Sequence, residues 1–236
     1  MFTLFFVDDL PTTVGCTYQF ANEDANHAIR VLRMQAGAEF MLSDGNGAWS
    51  QVKAIEVSKR SMQVQVMNSG YQEALPTFIT VVQALPKGDR SKEAIELLTE
   101  SGVDRIVPWS ASRSIGKGTD KFAITAREAS KQSRRFRIPQ VLELATTAQI
   151  CEAIKLSDLA IVFHESASHK LSDQISSHNV QTLLIIIGPE GGISDEELAA
   201  FESAGAKVAL MGRPILRSAH AGIAAVSAVS ALLRVW

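Results

Sequence analysis

The chain of 236 residues has few cysteines, little net charge and no long apolar run, and each shortage excludes a class of protein. Two cysteines, Cys16 and Cys151, are too few for a disulfide framework or a four-ligand zinc site, so a cytoplasmic location is expected. No apolar run approaches the roughly 20 residues of a membrane-spanning helix. The apolar start, Met1 to Val7, meets two aspartates at once and is unlike a signal peptide. The net charge of −2 excludes general coating of nucleic acid.

The five histidines do not have the spacing of metal ligands, and we expect no metal site. His164 and His169 are five residues apart, whereas a pair of ligands on one helical face is four apart. We interpret both as surface or loop residues, and residues 167–181 as an exposed connection.

The most informative stretch begins with an apolar run, Leu183 to Ile187, which predicts a strand buried on both faces. The loop that follows, Gly188 to Gly192, contains three glycines, which allow close backbone approach to a ligand. Ser194 and Glu197 form the pattern of a capping box, which predicts a helix that ends at Gly205.

A second strand, Lys207 to Met211, runs into a second glycine-bearing loop, and a last helix is expected over Ala219 to Leu233. Two strands that each end in a glycine loop before a helix are typical of an α/β ligand site. The first loop lacks the lysine and hydroxyl of a phosphate-binding loop, and Glu190 would oppose an anion. A neutral or cationic ligand with hydroxyls and an adenine-like edge fits better. A tight strand-to-helix turn without a ligand is the alternative.

The first part of the chain, residues 1–72, alternates short strands with turns and predicts a small β-barrel. The predicted strands are Phe2 to Val7, Glu39 to Leu42, Gln51 to Ile55 and Met62 to Val66, with a hairpin turn at Asp44 to Gly47. A short helix is expected around residues 26–34. Its His27, Arg30 and Arg33 either contact a phosphate backbone or form a solvated face. Residues 71–76 are the expected linker.

The next part predicts a βαβ unit. Its strands are Phe78 to Leu85 and Asp104 to Trp109, and Ser91 is placed to cap the helix between them. Positive charge then concentrates between Arg113 and Arg137, where eight basic residues stand against two acidic ones, a local charge of +6. The basic residues are Arg113, Lys117, Lys121, Arg127, Lys131, Arg134, Arg135 and Arg137. Helical spacing predicts one basic ridge for RNA, with Phe136 available to stack on a base; a solvated face is the alternative.

Five motifs together resemble one family. They are HAIRVLRM at 27–34, KGDRSKEAIELLTESGVDRIVPW at 87–109, EASKQSRRFRIP at 128–139, IGPEGGISDEE at 187–197 and LMGRPILRSAHAG at 210–222. In this order they resemble the RsmE family of the SPOUT class, which methylates uracil N3 in 16S ribosomal RNA with S-adenosylmethionine. The resemblance implies an α/β SPOUT trefoil-knot domain over 73–236 and a PUA-like RNA-binding domain over 1–72. It also implies a homodimer through the C-terminal domain and the small ribosomal subunit as partner.

The resemblance, the exposed helix face and the charge pattern together give expected roles for individual residues. Cofactor binding is expected of Gly188, Pro189, Glu190, Gly191, Gly192, Leu210, Met211, Gly212, Ile215, Leu216 and Ala221. Contact with RNA is expected of His27, Arg30, Arg33, Lys87, Arg113, Lys131, Gln132, Arg134 and Arg135. Catalytic roles are expected of Arg217, Ser218 and His220, although Arg217 could instead brace its loop.

Two positions depart from the family pattern. Where the family commonly has Thr-Glu-Thr after the arginine, this chain has Ser218, Ala219 and His220, so the carboxylate is lost. His220 titrates near neutrality and is a candidate replacement. The N-terminus also lacks an arginine often found there. The alternatives are a SPOUT methyltransferase acting on tRNA or on a ribose 2′-hydroxyl, and an inactive RNA-binding relative.

Overall fold

The computed structural model describes residues 2–116, 118–175 and 178–235, which fall into two compact units. One unit contains Met1–Ala74 and Ser130–Ile138, and the other contains Leu75–Ala129 and Pro139–Trp236. The basic residue Lys117 lies outside the described residues.

The first unit contains a five-stranded sheet and one helix. Its elements are β1 (Leu4–Phe6), β2 (Thr17–Phe20), α1 (Glu23–Arg30), β3 (Glu39–Ser43), β4 (Ala48–Val57) and β5 (Met62–Tyr71). The strand order is β1-β3-β4-β5-β2; β1 pairs with β3 in parallel and the other pairs are antiparallel. The predicted hairpin between β3 and β4 is confirmed, with Gly45 and Gly47 both at positive φ. Strand β2 was not predicted, because only Phe20 of its four residues is buried.

Aromatic rings fill the core of this unit. Phe5, Phe20 and Phe40 lie with ring centroids 5.5–5.6 Å apart, and all three are buried. Phe136, from the inserted segment 130–138, stacks on Trp49 at a centroid distance of 5.8 Å. Trp49 therefore covers one face of the Phe136 ring, and the expectation that Phe136 is available to stack on RNA is wrong for that face.

The remaining elements begin at Phe78. They are β6 (Phe78–Ala84), α2 (Arg90–Glu100), β7 (Arg105–Trp109), α3 (Phe122–Gln132), β8 (Gln140–Val141), α4 (Thr147–Lys155), β9 (Leu159–Phe163), α5 (Leu171–Gln174), β10 (Thr182–Ile187), α6 (Asp195–Ala204), β11 (Lys207–Ala209) and α7 (Ser218–Leu233). The six strands form one parallel sheet in the order β11-β9-β10-β6-β7-β8.

Helices cover both faces of this sheet, as a parallel sheet requires. Helices α2 and α7 contribute to the apolar core on one face, and α4 and α6 contribute to the core on the other. Strand β10 is central, and Leu183 to Ile187 are all buried, which confirms the predicted two-sided strand. The predicted βαβ unit is confirmed by the parallel pairing of β6 with β7 around α2.

Three local predictions are wrong. Ser91 does not cap α2, because the cap position is Asp89 and the Ser91 hydroxyl donates to the carbonyl of Pro86. The basic ridge does not continue past Gln132, because α3 ends there and Arg134 has a left-handed backbone with φ 56°. The connection 167–181 is not wholly exposed, since it contains α5 with its buried Leu171.

Within the described ranges, no helix is long and apolar enough to cross a bilayer.

Candidate functional site

A cavity of about 700 Å³ opens where β9, β10 and β11 end. All the residues expected to bind the cofactor line it: Gly188, Pro189, Glu190, Gly191, Gly192, Leu210, Met211, Gly212, Ile215, Leu216 and Ala221. Arg217 and Ser218 line it as well. Two loops more than fifteen residues apart in the chain therefore meet at one hollow, at the edge of the sheet where ligands of open α/β folds bind.

The shape of the first loop, Gly188 to Gly192, requires glycine at several positions. A Cβ atom on Gly188 would lie 2.7 Å from the side chain of Ile193, and one on Gly191 would lie 3.1 Å from Cβ of Arg113. Gly192 has φ 76°, and its N–H donates to the carbonyl of Pro189. A larger residue would collide with Ile193 at Gly188, press against Arg113 at Gly191 and strain the backbone at Gly192.

A buried carboxylate, Glu197, fixes the end of this loop. The predicted capping box is present: the Ser194 hydroxyl accepts the N–H of Glu197, and Glu197 Oε2 accepts the N–H of Ser194 at 3.1 Å. Glu197 also accepts the N–H of Ser112 at 2.7 Å and its hydroxyl at 3.0 Å. Burial raises the pKa of Glu197, but these hydrogen bonds outweigh it and hold the pKa below its ordinary value.

Arg113, the residue after Ser112, contacts the first loop directly. Its guanidinium donates to the carbonyl of Gly191 at 3.3 Å and to that of Ile193 at 3.5 Å. The residue expected to contact RNA therefore lies beside the cavity, with part of its donor capacity used inside the protein.

Ser218 joins the first loop to the last helix. Its hydroxyl donates to the carbonyl of Gly188 at 2.8 Å and accepts from Nε2 of Gln83 at 3.0 Å. Gln83 lies fully buried in β6, and its Oε1 has no partner among the described residues. Because the proton of the Ser218 hydroxyl is already donated, this side chain is suited to holding the loop in position.

Glu190 is held by the loop that follows β6. Its Oε1 accepts the backbone N–H of Lys87 at 3.2 Å and lies 3.6 Å from the Arg90 guanidinium. Lys87 itself is exposed.

The second loop presents exposed apolar side chains and two arginines. Ile215 is 83% exposed and Leu216 is 40% exposed, although both line the cavity. Arg213 and Arg217 line it too, and neither guanidinium has a hydrogen-bond or ion-pair partner among the residues that the structure describes. Arg217 is the N-cap of α7, and this position fixes its backbone at the mouth of the hollow.

His220, the candidate replacement for the missing carboxylate, does not line the cavity. Its Nε2 lies 3.1 Å from Oε1 of Glu93 on α2, and both side chains are about half exposed. A partner on the neighbouring helix directs this ring away from the glycine loops.

A third loop, which the sequence interpretation missed, also lines the cavity. His164 and Glu165 follow β9 directly, and both contribute to the lining. The signal was available: Leu159 to Phe163 is an apolar run that predicts a strand, and the residues after it lie at the same sheet edge as the first loop once the two strands pair in parallel.

The other residues expected to bind RNA lie in the first unit. His27, Arg30 and Arg33 are exposed on or just after α1, and Gln132 and Arg134 are exposed in the inserted segment. Lys131 differs, because its ammonium forms an ion pair with Asp24 in which both side chains are only 11% exposed.

Among residues 2–116, 118–175 and 178–235, no group of three or more potential metal ligands lies together. A second cavity, of about 480 Å³, lies near the beginnings of β6, β7 and β10. It contains no glycine loop.

Comparison with known proteins gives matches to both parts of the chain. A family model described as an RNA methyltransferase domain matches residues 73–230, and one described as an RNA methyltransferase PUA domain matches residues 20–67. The ribosomal RNA small subunit methyltransferase E of Mycobacterium bovis is 34% identical over an alignment of 245 residues. The alignment covers 99% of this chain and 93% of that protein. The protein of the same name from Bacillus subtilis is 28% identical, with 91% and 90% covered.

A solved structure gives the same fold. The ribosomal RNA small subunit methyltransferase E of Neisseria gonorrhoeae, solved bound to S-adenosyl methionine, matches with a TM-score of 0.87 over 98% of both chains at 23% identity. The predicted fold class is confirmed as an α/β domain with a parallel sheet together with a PUA-like β domain.

Proposed function

Because the chain belongs to the ribosomal RNA small subunit methyltransferase E family, we propose that it transfers a methyl group from S-adenosylmethionine to N3 of a uridine in 16S ribosomal RNA. The observation that supports this most is that all residues expected to bind the cofactor line one cavity. Such a cofactor needs contacts from backbone groups and from apolar side chains, and both are present in this cavity.

The residues of the cavity fit S-adenosylmethionine. Cβ atoms on Gly192 and Gly212 would meet no atom nearer than 3.8 Å, so their backbones are open to a ligand. The exposed Ile215 and Leu216 offer apolar surface for an adenine ring. Glu165 and Glu190 supply negative charge that suits a cationic ligand. When bound, the cofactor would supply a methyl group activated by its bond to a positively charged sulfur.

The chain's own task is to hold a uridine in line with that methyl group and to stabilise its charge. Uracil N3 carries a proton, so it becomes nucleophilic only as the proton leaves and negative charge spreads onto the flanking carbonyl oxygens. We assign this stabilisation to Arg217, whose guanidinium stays charged and has no other partner among the described residues. Alignment of the reacting atoms would supply much of the remaining acceleration.

Ser218 and His220 are assigned to positioning in this scheme. Ser218 holds the carbonyl of Gly188, and His220 pairs with Glu93 outside the cavity. On the RNA side, Lys87 and Arg113 adjoin the cavity. We propose that His27, Arg30, Arg33, Gln132, Arg134 and Arg135 of the first unit contact the RNA backbone, whereas Lys131 supports the fold through Asp24.

The same proposal extends to organisation. Residues 1–72 would form the RNA-binding domain and 73–236 the methyltransferase domain, active in the cytoplasm on the small ribosomal subunit as a homodimer through the C-terminal domain. Light scattering coupled to gel filtration would give twice the monomer mass of 25.5 kDa for such a dimer.

The function is tested by nucleoside mass mapping of 16S ribosomal RNA from a strain in which the gene is deleted and from the same strain with the gene restored. We expect one 3-methyluridine to be lost and regained. Loss of a methylated tRNA nucleoside or of a ribose methyl group instead would transfer the proposal to another RNA. Unchanged RNA in both strains would favour an inactive RNA-binding protein.

A further inference from the structure

We propose that Glu165 binds the ribose hydroxyls of the cofactor, an inference that rests on the proposed function. Glu165 is the second residue after β9, and its Oε1 lies 3.9 Å from the position that a Cβ atom on Gly192 would take. Its segment is also tied to the start of the second loop, because the N–H of His164 donates to Ala209 and the N–H of Leu210 donates to His169. The Glu165 carboxylate therefore lies near the first loop, on a segment bonded to the second.

The Glu165 carboxylate is available to a ligand. Of the two carboxylates that line the cavity, Glu190 already accepts the N–H of Lys87 and lies near Arg90. No described residue donates a hydrogen bond to Glu165, whose side chain is 61% exposed. A ligand with hydroxyl donors would therefore gain charge-assisted hydrogen bonds there without breaking bonds inside the protein.

His164 lies beside this carboxylate. The N–H of Ser166 donates to Nδ1 of His164 at 3.3 Å, and the Ser166 hydroxyl lies 2.7 Å from the same atom. Because Nδ1 accepts, a neutral ring carries its proton on Nε2, which lies 4.0 Å from Oε2 of Glu165. The ring is only 11% exposed, and at 4.0 Å its Nε2 is too far from Glu165 for a hydrogen bond, so the carboxylate oxygens stay available to a ligand.

The chemistry favours the ribose. A carboxylate has two oxygens that can accept from two vicinal hydroxyls at once, and an acidic side chain has this role in dinucleotide-binding α/β folds. The exposed Ile215 and Leu216 of the second loop are the expected adenine site, and the ribose is bonded directly to adenine. The α-ammonium of the methionine portion is the other donor that Glu165 could accept from, and the experiment separates the two.

The test is calorimetric titration of the full-length protein and of Glu165→Ala with four ligands. These are S-adenosylhomocysteine, its 2′-deoxy and 3′-deoxy derivatives, and 5′-methylthioadenosine, which lacks the amino acid. The wild type should lose roughly tenfold in affinity for each deoxy ligand, because a charge-assisted hydrogen bond is lost. Glu165→Ala should discriminate between hydroxylated and deoxy ligands by less than about threefold, and should bind 5′-methylthioadenosine as poorly, relative to wild type, as S-adenosylhomocysteine.

Two results would overturn the inference. If wild type and Glu165→Ala discriminated equally between hydroxylated and deoxy ligands, Glu165 would not bind the ribose hydroxyls. If Glu165→Ala lost affinity for S-adenosylhomocysteine but not for 5′-methylthioadenosine, Glu165 would bind the α-ammonium instead. Failure of the wild type to bind any ligand would remove the proposed function as well, which distinguishes the two failures. Glu202→Ala, which removes the same charge from an exposed position of α6, is the matched control and should leave every affinity unchanged.

Discussion

Single residues of the same type have different roles here because their partners differ. Arg113 donates to two loop carbonyls and Lys131 is paired with Asp24, whereas Arg217 has no partner among the described residues. A basic side chain whose donors are used inside the protein contributes to stability, while one that faces a cavity without a partner is able to act on a ligand. The sequence showed all three as basic residues in suggestive motifs, and only the fold separates them.

For Arg217→Ala, we expect S-adenosylmethionine to bind as before and turnover to fall by about 10²–10³-fold, the usual effect of removing one donor to a developing anion. Titration calorimetry and single-turnover methylation would measure the two quantities. Arg234→Ala, at the exposed far end of α7, is the control with the same loss of charge. Unchanged turnover in Arg217→Ala would remove this residue from the mechanism.

For Lys131→Ala, we expect a loss of roughly 3 kcal/mol in the free energy of unfolding, because an ion pair between two largely buried side chains is broken by removing one partner. Urea denaturation would measure it, with the exposed Lys121→Ala as control. If both variants were equally stable and Lys131→Ala instead weakened RNA binding, Lys131 would belong to the RNA surface.

At the scale of elements, local sequence signals predicted what local interactions decide. Ser194 and Glu197 cap α6 and Gly205 ends it, as the spacing indicated, because those hydrogen bonds span only a few residues. The failures were Ser91, which bonds to Pro86 instead of capping, and the ridge that ends before Arg134. Neither the hydrogen bond of Ser91 nor the left-handed backbone of Arg134 is indicated by the spacing of residues in the sequence.

The brace on the first loop predicts the behaviour of Glu197→Gln. An amide would place an NH₂ group against the N–H of Ser112 or of Ser194, so we expect a loss of about 2 kcal/mol in stability and a weaker affinity for S-adenosylmethionine with little change in kcat. Thermal unfolding and the separate measurement of KM and kcat would test this. Glu202→Gln is the control. If Glu197→Gln lowered kcat and left KM unchanged, the role of Glu197 as a brace of the first loop would be contradicted.

The pH dependence of that loss follows from the lowered pKa of Glu197. A carboxyl whose folded pKa is depressed contributes fully above its unfolded value, about 4.3, and loses the contribution as the pH falls through the folded value. The stability difference between wild type and Glu197→Gln should therefore be constant near neutrality and shrink in acid below about pH 4. A difference that grows on acidification would contradict the assignment.

The inserted segment of the first unit makes a prediction for RNA binding. Replacing Arg134 and Arg135 together by alanine should lower the slope of log affinity against log salt by about 1–2, as expected when up to two phosphate contacts are lost. Filter binding at several salt concentrations would measure it. An unaltered slope would show that these residues do not contact phosphate.

At the scale of the whole molecule, the cavity depends on contacts between distant parts of the chain. Both glycine loops were predicted from the sequence, because each directly follows an apolar run that predicts a strand without information from the rest of the chain. The third loop, with His164 and Glu165, was missed, since only the parallel pairing of β9 with β10 brings it to the same edge. The pairing of Lys131 with Asp24, 107 residues away, was hidden for the same reason.

The most direct test of methyl transfer at this cavity is a reaction of the purified protein with methyl-labelled S-adenosylmethionine and unmethylated 16S ribosomal RNA, free or in assembled small subunits, followed by nucleoside mass spectrometry. We predict label in 3-methyluridine at one uridine, with the Arg217→Ala protein giving almost none. Label in any other nucleoside, or none with either form of the RNA, would contradict the account.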